Sequence, residues 1–448
     1  MRGYELRELG GLMQLRTFVR LASGVGTINV LDRITAVGLG VFLARWLGVN
    51  SYGVYAFVMA IVGLLLIVAR LGLPDLVMRD IAASRADSTR GDPRTLLLRA
   101  SILIVGMSLV IVAVANAAGV PALAPDETAL RRSLSVGLWL LPALALLDLC
   151  AYALRGHSLF AWSQALGSFL PTLVTLVIVF AAARYLPKAD ASLALGARLA
   201  TVMVILLGAA VMLWRILPVP TTTARAGTPR LSHMLGTGTT FLLIGAVHVF
   251  LVRIDVVMLG LLAGTREVGL YKVAIEGAIL VAFVYVAGNA VLSPEFARLH
   301  ASGDLGQLEA LSVGASRIIF VAGTAVATGM TVFAKPIVGF VFGAEFIGAT
   351  PALTILSLGH LGALAFGDPI SILNMTGYQS TVLRIVTAAA VLNTALNLAL
   401  IPLLDLTGAA LATGFSLILT RVAAYVMVRW YHGIACGIFG SATAAGIR

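Results

Sequence analysis

Apolar runs separated by short polar stretches fill almost the whole chain. A helix that crosses a bilayer needs about 20 mostly apolar residues, and about twelve runs reach roughly that length. The pattern therefore predicts an all-α polytopic membrane protein with about 12 transmembrane helices. The predicted spans are 21–45, 52–73, 96–119, 132–154, 160–182, 193–216, 237–263, 268–292, 313–334, 350–373, 381–402 and 407–430.

Composition and charge support a membrane protein. The chain is 60% hydrophobic and 11% charged, whereas a soluble domain carries about 25% charged residues. A net charge of +11 would favour nucleic acid as the partner of a soluble protein, but here basic loops orient the chain in the bilayer. Most Lys and Arg residues outside the spans lie on the side of the N-terminus. This bias predicts that both termini are cytoplasmic.

The polar stretches are too short to form a globular catalytic domain. The longest are 79–95, 218–233 and 293–312, and the predicted external ones are 119–131 and 335–349. The Gly-containing sequence GVGTIN lacks the Lys-Ser/Thr ending of a phosphate-binding loop, and no HExxH or CxxC motif occurs. We therefore predict that the protein is not an enzyme and needs no cofactor or metal.

A weak internal repeat divides the chain into halves. Gly53-Val54-Tyr55 and Gly269-Leu270-Tyr271 each follow an apolar span and lie half the chain apart, and Pro74 and Pro294 precede the next basic stretches. Six spans per half is an even number, so the halves share one orientation and are expected to enclose a central site. The predicted segments are a cytoplasmic or interfacial N-terminus (1–20), two six-helix bundles (21–217 and 234–430), a linker (218–233) and a cytoplasmic tail (431–448).

Several short motifs carry a resemblance to a known family. They are Arg45-Trp46-Leu47-Gly48, Tyr52-Gly53-Val54-Tyr55 and Leu71-Gly72-Leu73 in the first half, with Asp255-Val256-Val257-Met258-Leu259-Gly260 and Val268-Gly269-Leu270-Tyr271 in the second. Together with the twelve-span layout, they resemble the oligosaccharide flippases. These are Wzx-type polysaccharide exporters of the MOP superfamily, which also contains MATE multidrug exporters and lipid II flippases.

The resemblance implies a function as well as a fold. It implies two six-helix bundles facing each other in a V, as in MATE transporters. It also implies transfer of a polyprenyl-pyrophosphate-linked oligosaccharide from the inner to the outer leaflet of the cell inner (plasma) membrane. The substrate would be a repeat unit of O-antigen, capsule or exopolysaccharide. The expected partners are this lipid-linked substrate, membrane lipids, and the polymerase and glycosyltransferases of the same pathway.

The first span carries a compact polar patch. Asn29, Asp32 and Arg33 lie at i, i+3 and i+4 and therefore share one helix face. Ionisable residues at this depth cost at least about 2.5–3.5 kcal/mol and usually face protein or water. One interpretation is an internal ion pair that locks two helices. The other is a cavity wall that binds the anionic substrate, since the arginine fork matches phosphate.

The seventh span carries His248, Arg253 and Asp255. Arg253 and Asp255 are two residues apart and point to different sides of a helix, so they cannot form a local pair. The repeat places Asp32 opposite His248. We therefore expect Arg253 to face Arg33 across an anion-binding cavity, with Asp255 and His248 on another face. The alternative for Asp255 is a structural contact with the Gly-Tyr turn.

Other charges suggest ion coupling or structural roles. Lys272 and Glu276 are an i, i+4 pair in the eighth span. Glu276 and Asp255 are candidates for the ion-coupling group, but the Lys272 spacing favours Glu276 as a structural acid neutralised by Lys272.

Four further polar side chains are assigned structural or interfacial roles. Asn393 and Asn397 share a face and are predicted to bond between helices. Asp368 precedes Pro369, where a helix break is predicted. Arg70 is expected to reach towards lipid head groups.

Two other functions are compatible with the pattern. An ion-coupled multidrug or metabolite exporter of the MATE type would have the same fold, but it should line its cavity with acidic and aromatic groups. A polysaccharide polymerase or ligase would need a larger external loop. Arginines at membrane depth favour an anionic substrate over a cationic drug.

Overall fold

The computed structural model describes residues 2–86, 92–123, 128–186, 189–217 and 231–440. Within these ranges it describes only the backbone of some residues, namely 2–25, 86, 231–233, 235, 240, 243, 244, 248, 287, 290 and 291. The described part of the chain is helical and contains no strand. The all-α prediction is therefore confirmed.

Nine helices lie in the described residues before position 218. Asp92 and Asp190 accept hydrogen bonds from backbone amides in the first turns of the third and ninth helices, as N-cap residues do. Short π-helical turns, Ala115–Gly119 and Ala165–Phe169, interrupt two of the spans. The helices are α1 (Arg2–Arg70), α2 (Leu73–Ala86), α3 (Pro93–Val114), α4 (Val120–Leu123), α5 (Thr128–Leu138), α6 (Leu140–Gly156), α7 (Phe160–Gln164), α8 (Leu170–Ala182) and α9 (Ala191–Ile216).

Seven helices lie in the described residues from position 231 onwards. A 3₁₀ segment, Ala344–Ala349, joins two of them. The helices are α10 (Leu231–Leu262), α11 (Thr265–Ala301), α12 (Leu305–Val332), α13 (Ala334–Val341), α14 (Thr350–Leu364), α15 (Pro369–Met375) and α16 (Gln379–His432).

The helices long and apolar enough to cross a membrane number ten in the described chain. The two longest each contain one non-helical residue, Gly48 in α1 and Asp405 in α16. Each of these two helices therefore has two arms of spanning length. These arms correspond to the predicted spans 21–45 and 52–73, and 381–402 and 407–430. When the two arms of each of these helices are counted separately, the ten helices provide twelve spanning segments, in agreement with the predicted number of about twelve.

The chain groups into two compact units. Unit 1 contains Met1–Trp46 and Val62–Ala246, and unit 2 contains Leu47–Ile61 and Val247–Arg448. The predicted bundles, 21–217 and 234–430, follow chain order, whereas each unit also takes in a short segment from the other half of the chain.

Two predicted segments differ from the structure. The stretch 79–95 was predicted to be a polar loop, but α2 occupies its first part because Leu76, Val77 and Ile81 are fully buried. The predicted span 350–373 ends at Leu364, and α15 begins after a short break. The Asp368 side chain caps α15, so the predicted break before Pro369 is confirmed.

Glycines allow very close helix contacts inside each unit. In unit 2, a side chain at Gly53 would collide with the carbonyl oxygen of Thr265, and one at Gly269 would collide with that of Val49. The two Gly-x-Tyr copies of the repeat therefore pack against each other. In unit 1, Gly72 and Gly238 meet in the same way.

We predict that Gly53→Ala lowers the melting temperature of the protein. The added methyl group would overlap the Thr265 carbonyl oxygen, which is backbone and cannot rotate away. Over-packing of this kind costs about 1–3 kcal/mol. The measurement is thermal unfolding of the purified protein in detergent, followed by tryptophan fluorescence.

Gly106→Ala is the matched control. Gly106 lies inside α3, and nothing lies within 4 Å of the position of its added Cβ. Alanine is about 0.5–1 kcal/mol better than glycine in a helix interior. Equal melting temperatures for the two variants would show that the Gly53 contact is not tight.

Candidate functional site

The polar patch of the first span contacts α8 through a neighbouring π-helical turn. Ser168 lies in the turn Ala165–Phe169, and its hydroxyl donates to Asp32 Oδ2 over 2.7 Å. Arg33 is half-buried, whereas Asn29 on the same helix face is exposed. The patch therefore combines one helix-locking hydrogen bond with polar groups that remain accessible.

Unit 1 also contains an ion pair that sequence reasoning missed. Arg70 near the end of α1 donates to Asp148 on α6, and their side chains are 30% and 21% exposed. Arg70 thus binds a carboxylate of its own unit rather than only reaching towards head groups, which corrects that expectation. One indication of this pair was present in the sequence: both residues lie a few positions from the ends of their predicted spans and therefore at a similar depth in the membrane.

Asp255 is the centre of a buried network in unit 2. It is 6% exposed. Asn397 Nδ2 donates to its Oδ1 over 2.7 Å, while the hydroxyls of Thr413 and Tyr271 donate to Oδ2, the latter over 3.4 Å. Asn397 also donates to Asn393 on the same helix over 3.0 Å, so the bond to Asp255 is the interhelical contact that this pair makes. The Tyr271 bond is the contact with the Gly-Tyr turn that was the alternative for Asp255.

The remaining predicted residues are less closely grouped. Arg253 is half-buried on α10 and takes part in a polar interaction. The side chain of His248 lies outside the described residues. Lys272 Nζ lies 2.7 Å from Glu276 Oε1, and Glu276 is mostly buried. This pair is the lysine-neutralised acid that the spacing allowed.

A second buried network in unit 2 was also missed by sequence reasoning. Tyr285 donates to Asp368 Oδ1 over 2.6 Å, and Arg421 Nη1 donates to the same oxygen over 3.2 Å. The Arg421 guanidinium also stacks on the Tyr285 ring, 4.3 Å from its centre. One indication of this network was present in the sequence: Arg421 lies inside the predicted span 407–430, and an arginine there requires an acidic or aromatic partner at the same depth.

The two units therefore have different chemistry. Unit 1 places an accessible polar patch with Arg33 beside a carboxylate, and unit 2 buries two carboxylates in hydrogen bonds. Among the described residues, no group of three His, Cys, Asp or Glu side chains is arranged to hold a metal ion.

A model of one protein family covers most of this architecture. The model for polysaccharide biosynthesis proteins matches residues 22–300, which is more than half of the chain. The chain belongs to the polysaccharide biosynthesis protein family. No curated protein matches it by sequence.

Solved structures of MOP superfamily transporters share the fold. An inward-facing multidrug resistance MATE family transporter matches with a TM-score of 0.73 at 15% identity, covering 92% of this chain and 98% of that one. Lipid II flippase MurJ in an inward closed conformation matches with 0.71 at 13% identity, covering 90% and 87%. A MOP superfamily transporter from Pyrococcus furiosus, described as having a binding pocket of reversed polarity, matches with 0.51 at 16%, covering 92% and 93%. The membrane protein therefore has a MATE-like and MurJ-like fold.

We predict that Asp255→Ala strongly destabilises the protein. The substitution leaves the buried Asn397 amide and the hydroxyls of Thr413 and Tyr271 without their acceptor, and each unsatisfied group costs about 1–3 kcal/mol. Asp255→Asn keeps one oxygen acceptor and should destabilise less. The measurement is the melting temperature in detergent.

Asp80→Asn is the control for removing a carboxylate. Asp80 pairs with the neighbouring Arg79 at the surface of α2, and such exposed pairs contribute about 0–1 kcal/mol. An unchanged melting temperature for Asp255→Ala, together with lost transport, would contradict a structural role. It would instead support Asp255 as the ion-coupling group.

Proposed function

We propose that this protein is a flippase that moves polyprenyl-pyrophosphate-linked oligosaccharide from the inner to the outer leaflet of the cell inner membrane by alternating access. The substrate would be a repeat unit of O-antigen, capsule or exopolysaccharide. The proposal rests on one observation above all. A chain of the polysaccharide biosynthesis family keeps half-buried arginines, Arg33 and Arg253, inside its membrane helices.

The chemistry of arginine supports an anionic substrate. A charge inside the bilayer is costly unless it has a role or a partner. The guanidinium group offers two parallel donors that match phosphate oxygens and remains charged at every physiological pH. In the proposed mechanism Arg33 and Arg253 bind the pyrophosphate or acidic sugars, with Asn29 and Asp32 bonding to sugar hydroxyls. The polyprenyl chain stays in the lipid.

Coupling to an ion gradient would use a carboxylate of unit 2. Glu276 and Asp255 are the candidates, and both already have partners in their own unit. An ion or proton would therefore have to compete with Lys272 at the first site, or with hydroxyl and amide donors at the second. No adenine-nucleotide motif occurs in the sequence, so the ion gradient or the substrate gradient is the proposed driving force.

The second candidate is an ion-coupled exporter of the MATE type. It is favoured by the likeness to the multidrug resistance MATE transporter. Deleting the gene separates the two functions, because a flippase deletion should remove surface polysaccharide while leaving drug sensitivity unchanged. Increased drug sensitivity with intact polysaccharide would instead support the exporter.

We predict that Arg33→Ala and Arg253→Ala each reduce polysaccharide export at normal protein level. A charge-assisted hydrogen bond contributes about 1.5–3 kcal/mol, which corresponds to roughly a tenfold to hundredfold change in affinity. Arg→Lys variants keep the charge but lose the paired donors, so their polysaccharide export should lie between that of the unsubstituted protein and that of the alanine variants. The measurement is surface polysaccharide in a deletion strain that expresses each variant.

Arg298→Ala is the control. Arg298 is exposed near the end of α11 and pairs only with the nearby Glu295 among the described ion pairs. It should leave export unchanged. If both intramembrane arginine variants also export normally, neither arginine binds the substrate and the proposed site is wrong.

A further inference from the structure

The chain folds back on unit 2 after its last helix. Gly433 ends α16 in a left-handed conformation with φ 69°. Residues 433–440, the C-terminal strap, then pack against the unit instead of extending away from it. Ile434 and Cys436 are 5% and 0% exposed and belong to a core cluster formed with α11, α12, α15 and α16. The first part of the predicted cytoplasmic tail, 431–448, therefore contributes residues to the core of unit 2.

Hydrogen bonds tie the strap to three places. The amide of Ala435 donates to Glu309 on α12 over 3.1 Å. The amide of Ile438 donates over 2.9 Å to the carbonyl of Ala365, which lies just after α14. Arg317, also on α12, donates to the carbonyl of Gly440 over 2.9 Å. The strap thus bridges α12 and the break between α14 and α15.

Two glycines fit the strap to that break. Gly367 and Gly437 have φ of 69° and 88°, which favours glycine. A side chain at Gly437 would lie 2.6 Å from the Ala365 oxygen, and one at Gly367 would lie 2.8 Å from the Gly437 nitrogen. The two backbones therefore touch, and no larger residue fits at either position.

Gly367, which touches Gly437 of the strap, lines a small cavity that the proposed transport mechanism does not use. The cavity has a volume of about 10 Å³, and its lining includes Gly367, Ser316, Ser312 and Asp368. That volume is close to the space required by one water molecule. Asp368 Oδ2 and Ser312 Oγ are buried without a hydrogen-bond partner in the described structure. A single water could satisfy both atoms.

Access to this cavity bears on the Asp368 network. Asp368 Oδ1 accepts from Tyr285, from Arg421 and from the amide of Ser371 at the start of α15. These bonds are strong only while bulk water is excluded, because water competes for the same donors. Two lining residues link the cavity to the strap: Gly367 touches Gly437, and Phe296 belongs to the same core cluster as Ile434 and Cys436.

We propose that the C-terminal strap is a releasable cap that seals the Asp368 cavity, and that export requires the cap to be docked. When docked, it keeps bulk water from the Asp368, Tyr285 and Arg421 network and fixes the break between α14 and α15. When released, it opens the network to water, and the break loses the Ala365 hydrogen bond. The cap is separate from the arginines assigned to the substrate.

Cys436 reports whether the strap is docked. The sequence has two cysteines, so Cys150→Ala leaves Cys436 as the single thiol. Burial raises the pKa of the Cys436 thiol to about 12, and a buried thiol with so little thiolate reacts slowly. The probe is N-ethylmaleimide, applied to the full-length protein in native membranes, with labelling read by mass spectrometry.

The test weakens the strap at two independent points. Gly437→Val removes the backbone fit, and Arg317→Ala removes the bond to Gly440. Both should speed Cys436 labelling about tenfold by populating a locally open state, and both should cause loss of export. Gly314→Ala is the matched control on α12, since nothing lies within 4 Å of its added Cβ. It should change neither the rate of Cys436 labelling nor polysaccharide export.

Three outcomes would overturn the proposal. Unchanged labelling in both variants would show that the strap does not detach as a unit. Faster labelling with normal export would show that docking is not required. Cys150, which is buried in α6, serves as the reference for general unfolding in a Cys436→Ala protein. The third outcome is faster labelling of Cys150 in the Gly437→Val and Arg317→Ala variants, which would show that the whole protein opens rather than the strap alone. Labelling does not depend on the substrate, so it remains informative even if the flippase function is wrong.

Discussion

A break in a membrane-spanning helix frees backbone groups that the bilayer cannot satisfy, so the protein must supply their partners. At Gly48 the freed amide of Val49 faces the Glu345 carboxylate over 3.4 Å. Between α14 and α15, Asp368 accepts from Ser371 while the strap donates to Ala365. At both of these breaks, a side chain or a returning segment therefore supplies the missing partner.

The same requirement accounts for the buried side chains. Asp255 and Asp368 each collect three donors, which come from two helices in the first case and from three in the second. Asp255 thereby joins α10, α11 and α16, and Asp368 joins α11, α15 and α16. Removing one donor leaves the rest in place, whereas removing the acid leaves several groups unsatisfied at once. The acids are therefore the points on which helix packing in unit 2 depends.

Sequence reasoning was reliable where partners are close along the chain or signalled by proline. The Lys272–Glu276 pair, the shared face of Asn393 and Asn397, and the break at Asp368 all follow from local spacing. The Arg70–Asp148 and Arg421–Asp368 pairs do not, because their partners lie on distant helices and meet only through packing. Hydroxyl donors such as Thr413 and Ser168 are harder still to predict from the sequence, since the chain has many hydroxyl groups that could donate to a buried carboxylate.

The donors around Asp255 decide how that site could serve ion coupling. The hydroxyls of Thr413 and Tyr271 lie 2.9 Å apart and can each donate or accept. If a cation bound the carboxylate, rotation of these hydroxyls would turn oxygen lone pairs towards it without moving the helices. Asn397 cannot do so in its present orientation, because its amide nitrogen faces the acid. Ligation of the cation by Asn397 would therefore require its side chain to turn, which would also break its bond to Asn393 on the same helix.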